Sequence, residues 1–258
     1  MSIRTEIETR LRAIEMEHGV RILYACESGS RGWGFASPDS DYDVRFLYVH
    51  PLSWYLRVLP GRDVIELPIS DVLDINGWEL RKALRLLGKG NATLIEWLDS
   101  PVQYRADPVF LESMRRVAQQ TWRPERAFHH YIHMARGNDR GYLRGETVRY
   151  KKYLYVLRPL LAAQWVAEGR GIPPMRFQAL VDGIVDAPDL RQAIGALLDK
   201  KLDAAETEYG PSIPVINDFI DAQLARLAGS TPPVRDRIDL SPLDDLLMKA
   251  VLPSGGNA

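Results

Sequence analysis

Two aspartates, Asp41 and Asp43, stand two residues apart at the start of an apolar and aromatic run that predicts a strand over residues 41–49. Because side chains two apart on a strand leave the same face, the two carboxylates are expected to project together. Neighbouring carboxylates repel each other unless a cation lies between them. Carboxylate oxygens are ligands that Mg²⁺ or Mn²⁺ prefers, together with water and phosphate oxygens. The pair therefore predicts a divalent-metal site.

A glycine–serine turn precedes the aspartates and follows an apolar run over 20–26 that predicts a buried strand. The turn is expected to open a helix, whose free main-chain N–H groups attract phosphate. Gly29 allows a close approach of the main chain, and the Ser30 hydroxyl can donate to a phosphate oxygen. Arg31 is either a further phosphate contact or an ordinary surface cation. Together with the aspartates, the turn predicts a site for a triphosphate and a metal ion.

The rest of the chain must supply the elements that position this site. Apolar spacing predicts a helix over 2–17, a third strand over 63–69, a strand at 73–75 that continues or follows it, and helices over 78–87 and 93–98. After Pro101 the strand signals almost vanish. Helices are predicted over 108–120, 124–136, 146–168, 175–185, 189–208, 213–228 and 243–251. The pattern predicts an α+β fold followed by an all-helical region.

Composition narrows the class of protein. The 258 residues are 46% hydrophobic and 26% charged, which is typical of a globular protein of one or two domains. The net charge of −1 gives no overall sign of a nucleic-acid binder, although an average conceals any local basic stripe. The single cysteine, Cys26, excludes a disulfide framework and fits a cytoplasmic protein. No apolar run approaches the ~20 residues that span a bilayer, so no membrane partner is expected.

The motif resembles the signature of the DNA polymerase beta-like nucleotidyltransferase superfamily, in which Gly-Ser is followed about ten residues later by Asp-x-Asp on a strand. A closer resemblance, to the predicted nucleotidyltransferases of the RNA repair pathway DNA polymerase beta family, extends over residues 27–35, 40–45, 77–84 and 150–155. It implies a catalytic domain at 1–105, with a small mixed sheet flanked by helices, and a helical substrate-binding domain at 106–258. It also implies transfer of a nucleoside monophosphate from an NTP such as ATP to a hydroxyl, with release of pyrophosphate.

The resemblance also implies residues beyond the motif. The superfamily adds a third carboxylate from a later strand, for which Asp74 is the first choice and Asp63 and Glu66 are the alternatives. A basic residue of the helical region often meets the triphosphate, which makes Lys151 and Lys152 candidates, against the alternative of a solvated helix face. The family label suggests an RNA end as the acceptor. The alternatives are a protein or small-molecule acceptor, as in antitoxin-type and antibiotic-modifying relatives, and a non-catalytic nucleotide-sensing module, against which the intact Asp41 and Asp43 argue.

Two features have no clear place in this scheme. Glu27 directly precedes the turn, and the sequence assigns it no role. His129, His130 and His133 resemble a metal cluster, since His129 and His133 share a helix face. The cluster lacks an acidic third ligand at the usual spacing, so a substrate-facing or packing role is expected.

Overall fold

The computed structural model describes residues 2–70, 72–203, 209–232, 234–235 and 237–252. The chain divides into two compact units. The first contains Met1–Gly29, Asp41–Trp122 and Arg237–Ala258, and the second contains Ser30–Ser40 and Arg123–Asp236. The structure therefore departs from the expected division between residues 105 and 106.

The first unit is built on a five-stranded sheet in the order β3-β4-β2-β1-β5. β2 and β4 are parallel, whereas the other neighbouring strands are antiparallel. The expected mixed sheet and α+β class are thus confirmed. The strands are β1 (Arg21–Glu27), β2 (Tyr42–Val49), β3 (Val64–Glu66), β4 (Leu73–Glu79) and β5 (Gln103–Ala106).

One face of this sheet is covered by α1 (Ile3–His18). The helix begins at Ser2, whose side chain accepts the N–H of Thr5, and it ends at Gly19 in the left-handed conformation. Its apolar stripe is buried in one cluster with alternate residues of β2, and each such side chain contributes about 1.5–3 kcal/mol on burial. The members of this cluster include Ile7, Leu11 and Ile14 of the helix and Val44, Phe46 and Tyr48 of the strand.

The opposite face carries the other helices of the first unit. Trp78 of β4 lies against Trp97 of α5, with ring centroids 4.2 Å apart, and the Tyr24 hydroxyl donates to the Trp97 carbonyl at 2.6 Å. α4 packs with α5 and against β2 and β4, and α12 packs with α4 and α6. The helices are α3 (Leu52–Tyr55), α4 (Leu80–Gly88), α5 (Ala92–Leu98), α6 (Pro108–Gln120) and α12 (Ser241–Val251), while α2 (Gly29–Trp33) crosses from the first unit to the second.

These contacts explain why the units do not follow the expected boundary. α6 belongs to the first unit because it packs against β1 and α5, although it lies beyond residue 105. α12 joins the same unit from the far end of the chain. Whether the two parts divide catalysis and substrate binding between them stays a prediction.

The second unit is mainly helical, and α8 is its central helix. α8 is apolar on nearly all sides and packs against α7, α9 and α11, which accounts for its burial. The helices are α7 (Pro124–Tyr142), α8 (Lys151–Ala167), α9 (Phe177–Ile184), α10 (Pro188–Asp203) and α11 (Pro214–Ala228). The expectation of a purely helical region is wrong in one detail, because β6 (Thr147–Arg149) pairs with β7 (Tyr209–Pro211).

The segment Ser30–Ser40 is held in the second unit by an aromatic cluster. The Trp33 ring lies 5.7 Å from that of Tyr155, and the Phe35 ring lies 5.6 Å from that of Phe177. The buried guanidinium of Arg158 stands 4.7 Å from the Trp33 ring centroid, a cation–π contact. These contacts fix the stretch between the glycine–serine turn and the aspartates.

Other departures from the sequence predictions concern short strands and two helix starts. The helix predicted over 146–168 begins only at Lys151, because residues 147–149 form β6. β5, β6 and β7 were not predicted, because three or four residues carry too little periodicity to signal a strand. Trp78 belongs to β4 and not to the following helix, since the strand continues its pairing with β2 as far as Glu79. Part of the predicted helix over 189–208 lies outside the described residues. None of the described helices is long and apolar enough to cross a membrane.

Candidate functional site

The parallel pairing of β2 and β4 places Asp43 directly beside Asp74. Both side chains leave the sheet face opposite α1, because Val44 and Ile75, the next residues, point into the α1 core. Asp41 immediately precedes the first residue of β2 and is exposed. The structure thus brings Asp74, the first choice for the third carboxylate, next to the aspartate motif.

The two alternatives for the third carboxylate are engaged elsewhere. Asp63 forms an ion pair with Lys82 at 3.0 Å. Glu66 pairs in register with Asn76, whose amide donates to it at 2.8 Å. Neither lies beside Asp43 in the sheet register.

Arg45 supplies a positive charge between the paired carboxylates. Its Nη2 lies 2.7 Å from Asp74 Oδ2 and 3.1 Å from Asp43 Oδ1. Its Nη1 donates to the main-chain carbonyls of Val44 and Asp74, both at 3.0 Å. Sequence reasoning missed this residue, although its position two residues after Asp43 places it on the same face of the strand.

The electrostatics of Asp43 reflect this crowded position. Burial raises the pKa of its carboxyl group, and the negative charges of Asp74 and Asp41 raise it further. The neighbouring Arg45 guanidinium lowers the pKa without cancelling the rise. An added positive charge at this point would therefore stabilise the ionised carboxylate.

Gly29 permits the closest approach in the site. Its φ of +55° lies in the left-handed region, and a Cβ built on it would stand 1.9 Å from Asp43 Oδ2. The N–H of Ser28 donates to the Asp43 carbonyl at 2.8 Å. The sequence predicts that Gly29 lets a ligand approach the main chain, which stays a prediction; in the structure the group that approaches it is the carboxylate of Asp43.

Glu27 has a structural partner that the sequence did not reveal. The residue is 1% exposed, and its Oε1 accepts the main-chain N–H of Asp43 at 2.7 Å. Its Oε2 accepts the Tyr104 hydroxyl of β5. This buried carboxylate therefore ties β1, β2 and β5 together at the point where the aspartate motif begins.

The other predicted phosphate ligands, Ser30, Arg31, Lys151 and Lys152, belong to the second unit. Arg31 Nη2 donates to the main-chain carbonyl of Ser40 at 2.6 Å, which closes the loop before Asp41. Lys152 Nζ lies 3.9 Å from the Tyr142 ring centroid. Both cations thus have structural contacts, and a role in nucleotide binding stays a prediction for all four residues.

In the parts of the chain that the structure describes, no three His, Cys, Asp or Glu side chains are gathered as a ready metal site. His133 Nδ1 lies 2.7 Å from the His129 carbonyl one turn earlier, a contact within α7. This geometry does not support a zinc site at the histidines. At Asp43 and Asp74 the donor oxygens are of the type that suits a hard divalent cation, and Arg45 supplies the positive charge between them.

Comparison with known proteins decides the family. A model of the RNA repair pathway DNA polymerase beta family matches residues 3–249. The chain belongs to this family. Membership places the chain in the DNA polymerase beta-like nucleotidyltransferase superfamily, and the resemblance seen in the motif is confirmed.

The chain is also similar to an uncharacterised protein and to a solved structure. It is 44% identical over 251 residues to the uncharacterised protein YcgL of Bacillus subtilis (strain 168), and the match covers 96% of each chain. The crystal structure of a nucleotidyltransferase-like protein from Exiguobacterium sibiricum is 13% identical, covers 95% of this chain and 77% of that one, and has a TM-score of 0.29. Because that score is low, the family assignment depends on the sequence matches.

Proposed function

We propose that the protein transfers a nucleoside monophosphate from an NTP to a hydroxyl at an RNA end and releases pyrophosphate. The observation that carries the proposal is the placement of Asp43 beside Asp74 on one sheet face, with Asp41 two residues earlier. A family assigned to RNA repair favours RNA as the acceptor. The reaction makes a bond between the acceptor oxygen and the α-phosphorus and breaks the bond from that phosphorus to the oxygen bridging to the β-phosphate.

Asp41 and Asp43 are the proposed ligands of two divalent cations, Mg²⁺ or Mn²⁺, and Asp74 would hold the one nearer the acceptor hydroxyl. When bound, such a cation neutralises phosphate charge and lowers the pKa of an attacking hydroxyl. The carboxylate set fits this role, since hard oxygen donors suit these ions and the site already favours positive charge at Asp43. Asp74 orients the acceptor hydroxyl and accepts its proton during the attack.

The glycine–serine turn is the proposed site of the β- and γ-phosphates. Because Gly29 has no Cβ, the turn can lie directly against the Asp43 carboxylate, and the Ser30 hydroxyl is a donor for phosphate oxygen. Arg31, Lys151 and Lys152 are candidate cations for the same triphosphate on the strength of the sequence.

Arg45 is the proposed internal counter-ion of the site. Its guanidinium bonds both Asp43 and Asp74, so a divalent cation that binds these carboxylates must compete with it. We expect the guanidinium to swing toward the phosphates as the carboxylates change partner, because its own charge then needs a new anion.

The test is an acceptor screen with purified protein, Mg²⁺ and each labelled NTP against RNA, protein and small-molecule pools. We expect labelled RNA and released pyrophosphate. Asp41→Asn and Asp43→Asn should each lower the rate at least ~100-fold, because metal ligation supplies several kcal/mol to the transition state. Asp39→Asn, at an exposed aspartate two residues before the motif, is the matched control and should leave the rate unchanged.

Two outcomes would contradict the proposal. If Asp41→Asn and Asp43→Asn transfer at the wild-type rate, the assignment of these two carboxylates as metal ligands is wrong. If label appears only in the protein or small-molecule pool, RNA is not the acceptor. Nucleotidyl transfer itself would then still be supported.

A further inference from the structure

A groove runs between α4 and α12 of the first unit, with a cavity volume of about 370 Å³. Arg81, Arg85 and Lys89 line it along α4 and its C-cap. These residues are spaced four apart, so they share one face of the helix and repeat every ~6 Å along it. The facing wall is apolar and comes from Leu243 and Leu247 of α12. We call this feature the α4–α12 groove.

Two cations of the α4–α12 groove, Arg85 and Lys89, carry exposed charge. Among the residues that the structure describes, no carboxylate forms an ion pair with Arg85 or Lys89, and both side chains are exposed. Arg81 stacks on the Tyr55 ring at 4.8 Å from its centroid. Asp244 is the one acidic residue that lines the groove. The groove is thus a local basic stripe that the net charge of −1 conceals.

The combination of a row of cations and an apolar wall selects the kind of ligand. Phosphates at regular intervals would pair with the cations, and unstacked bases would lie against the leucine side chains and the arginine planes. An acidic peptide would use the cations alone. A single-stranded nucleic acid therefore fits both halves of the groove.

The groove and the carboxylates lie on the same side of the sheet. α4 packs on β2 and β4 together with α5, whose Trp97 covers the face from which Asp43 and Asp74 project. α4 follows β4 directly. Asp74 lies five residues before the end of β4, so ~17 Å of strand separates it from the start of α4. A short oligonucleotide can span that distance.

We propose that the α4–α12 groove binds the acceptor RNA as a single strand and thereby presents its end to the carboxylates. The proposal rests on the proposed function for the identity of the acceptor. Arg85 and Lys89 act as phosphate contacts, and the partly exposed Leu247 of α12 acts as a platform for bases.

The test measures binding of a fluorescent ten-nucleotide oligoadenylate by anisotropy over a series of salt concentrations. The variants are Arg85→Gln, Lys89→Gln and the double substitution. We expect each single variant to lower the affinity several-fold at low salt and to reduce the slope of log K against log salt by about 1, because each cation releases counter-ions from one phosphate contact. Leu247→Ala should weaken binding with an unchanged slope.

Transfer kinetics separate this role from a structural one. The Arg85 and Lys89 variants should raise the KM for RNA while kcat at saturating RNA and the KM for the NTP stay at wild-type values. Arg12→Gln, an exposed arginine of α1 on the opposite sheet face, is the control for a simple change of net charge. Thermal unfolding of every variant checks that the fold is kept.

The possible results distinguish this inference from the proposed function. If the variants transfer to RNA with an unchanged KM and an unchanged salt slope, the α4–α12 groove does not bind the acceptor. The proposed function would then still stand. If the oligonucleotide binds through Arg85 and Lys89 but no transfer occurs, the groove is a nucleic-acid site and the proposed function is wrong. Absence of both binding and transfer would overturn both, and polyglutamate that competes as well as RNA would overturn the choice of ligand.

Discussion

The main-chain N–H of Asp43 donates to the buried carboxylate of Glu27 on the neighbouring strand, at 2.7 Å. The contact fixes the main chain of Asp43 from the α1 side of the sheet, while its side chain leaves on the other side toward Asp74 and Arg45. The contact that Glu27 makes with Asp43 is to the main-chain N–H, so it acts on the carboxylate through the position of the strand. We therefore regard it as a positioning residue.

Glu27→Ala should lower both stability and transfer. The substitution leaves the N–H of Asp43 and the hydroxyl of Tyr104 without this acceptor, which costs about 1–3 kcal/mol for each buried group left unpaired. Glu27→Gln keeps an oxygen for the Asp43 N–H, so it should retain most of the activity. Tyr104→Phe removes the other hydrogen bond and should lower stability while kcat is preserved. The measurements are thermal unfolding and kcat. A wild-type kcat in Glu27→Ala would show that Asp43 does not need this support.

Gly29→Ala should abolish transfer, because a Cβ at this position would meet the Asp43 carboxylate at 1.9 Å. The variant also has the strain of a left-handed φ, which is about 1 kcal/mol for alanine. Gly19→Ala is the matched control, since its φ of +60° imposes the same strain and nothing lies within 4 Å of the added Cβ. We expect a similar loss of melting temperature from strain in both, with a further loss and inactivity in Gly29→Ala alone. Equal kcat values in the two variants would contradict a role for the close approach.

Asp74→Asn should lower transfer ~100-fold or more and spare NTP binding, because the residue is assigned to the acceptor hydroxyl. Asp63→Asn is the control, since it breaks a partly exposed ion pair with Lys82 that is worth only about 0–1 kcal/mol. Single-turnover transfer and calorimetry of NTP binding measure the two effects separately. An inactive Asp63→Asn beside an active Asp74→Asn would transfer the role of third carboxylate to Asp63.

The sequence was sufficient for those parts of the site that depend on local spacing. The spacing of Asp41 and Asp43 and the glycine–serine turn follow from a period-two pattern and from turn residues. The mixed sheet was implied by the family resemblance. Asp74 could be named only as one of three candidates, because its place beside Asp43 depends on which strands pair and in what register. Strand register is a property of the whole sheet and has no local signature here.

Two of the relationships missed from the sequence are long-range. Glu27 meets Asp43 and Tyr104 only after β1 is placed between β2 and β5, and α12 joins the first unit from the far end of the chain. A buried acid beside a glycine–serine turn is a weak signal by itself, since the sequence does not show where its hydrogen bonds go. Arg45 had a visible signal, since it shares the strand face of Asp43.

Cys26 offers a test of the strand that carries Glu27, because it is the single cysteine in the chain. The thiol is fully buried on β1, and burial raises its pKa to about 12. At pH 9 the native protein should therefore react with a thiol-specific disulfide reagent at least two to three orders of magnitude more slowly than the unfolded chain, because the thiolate is the reactive form. The native rate should rise with pH well beyond the ordinary cysteine range, whereas the guanidinium-unfolded control should level off near it. Glu27→Ala should loosen β1 and let solvent reach the thiol, which lowers its pKa toward the ordinary value, so labelling should be faster than in Glu27→Gln. Fast native labelling at pH 8 would contradict the central placement of β1 and, with it, the support that we assign to Glu27.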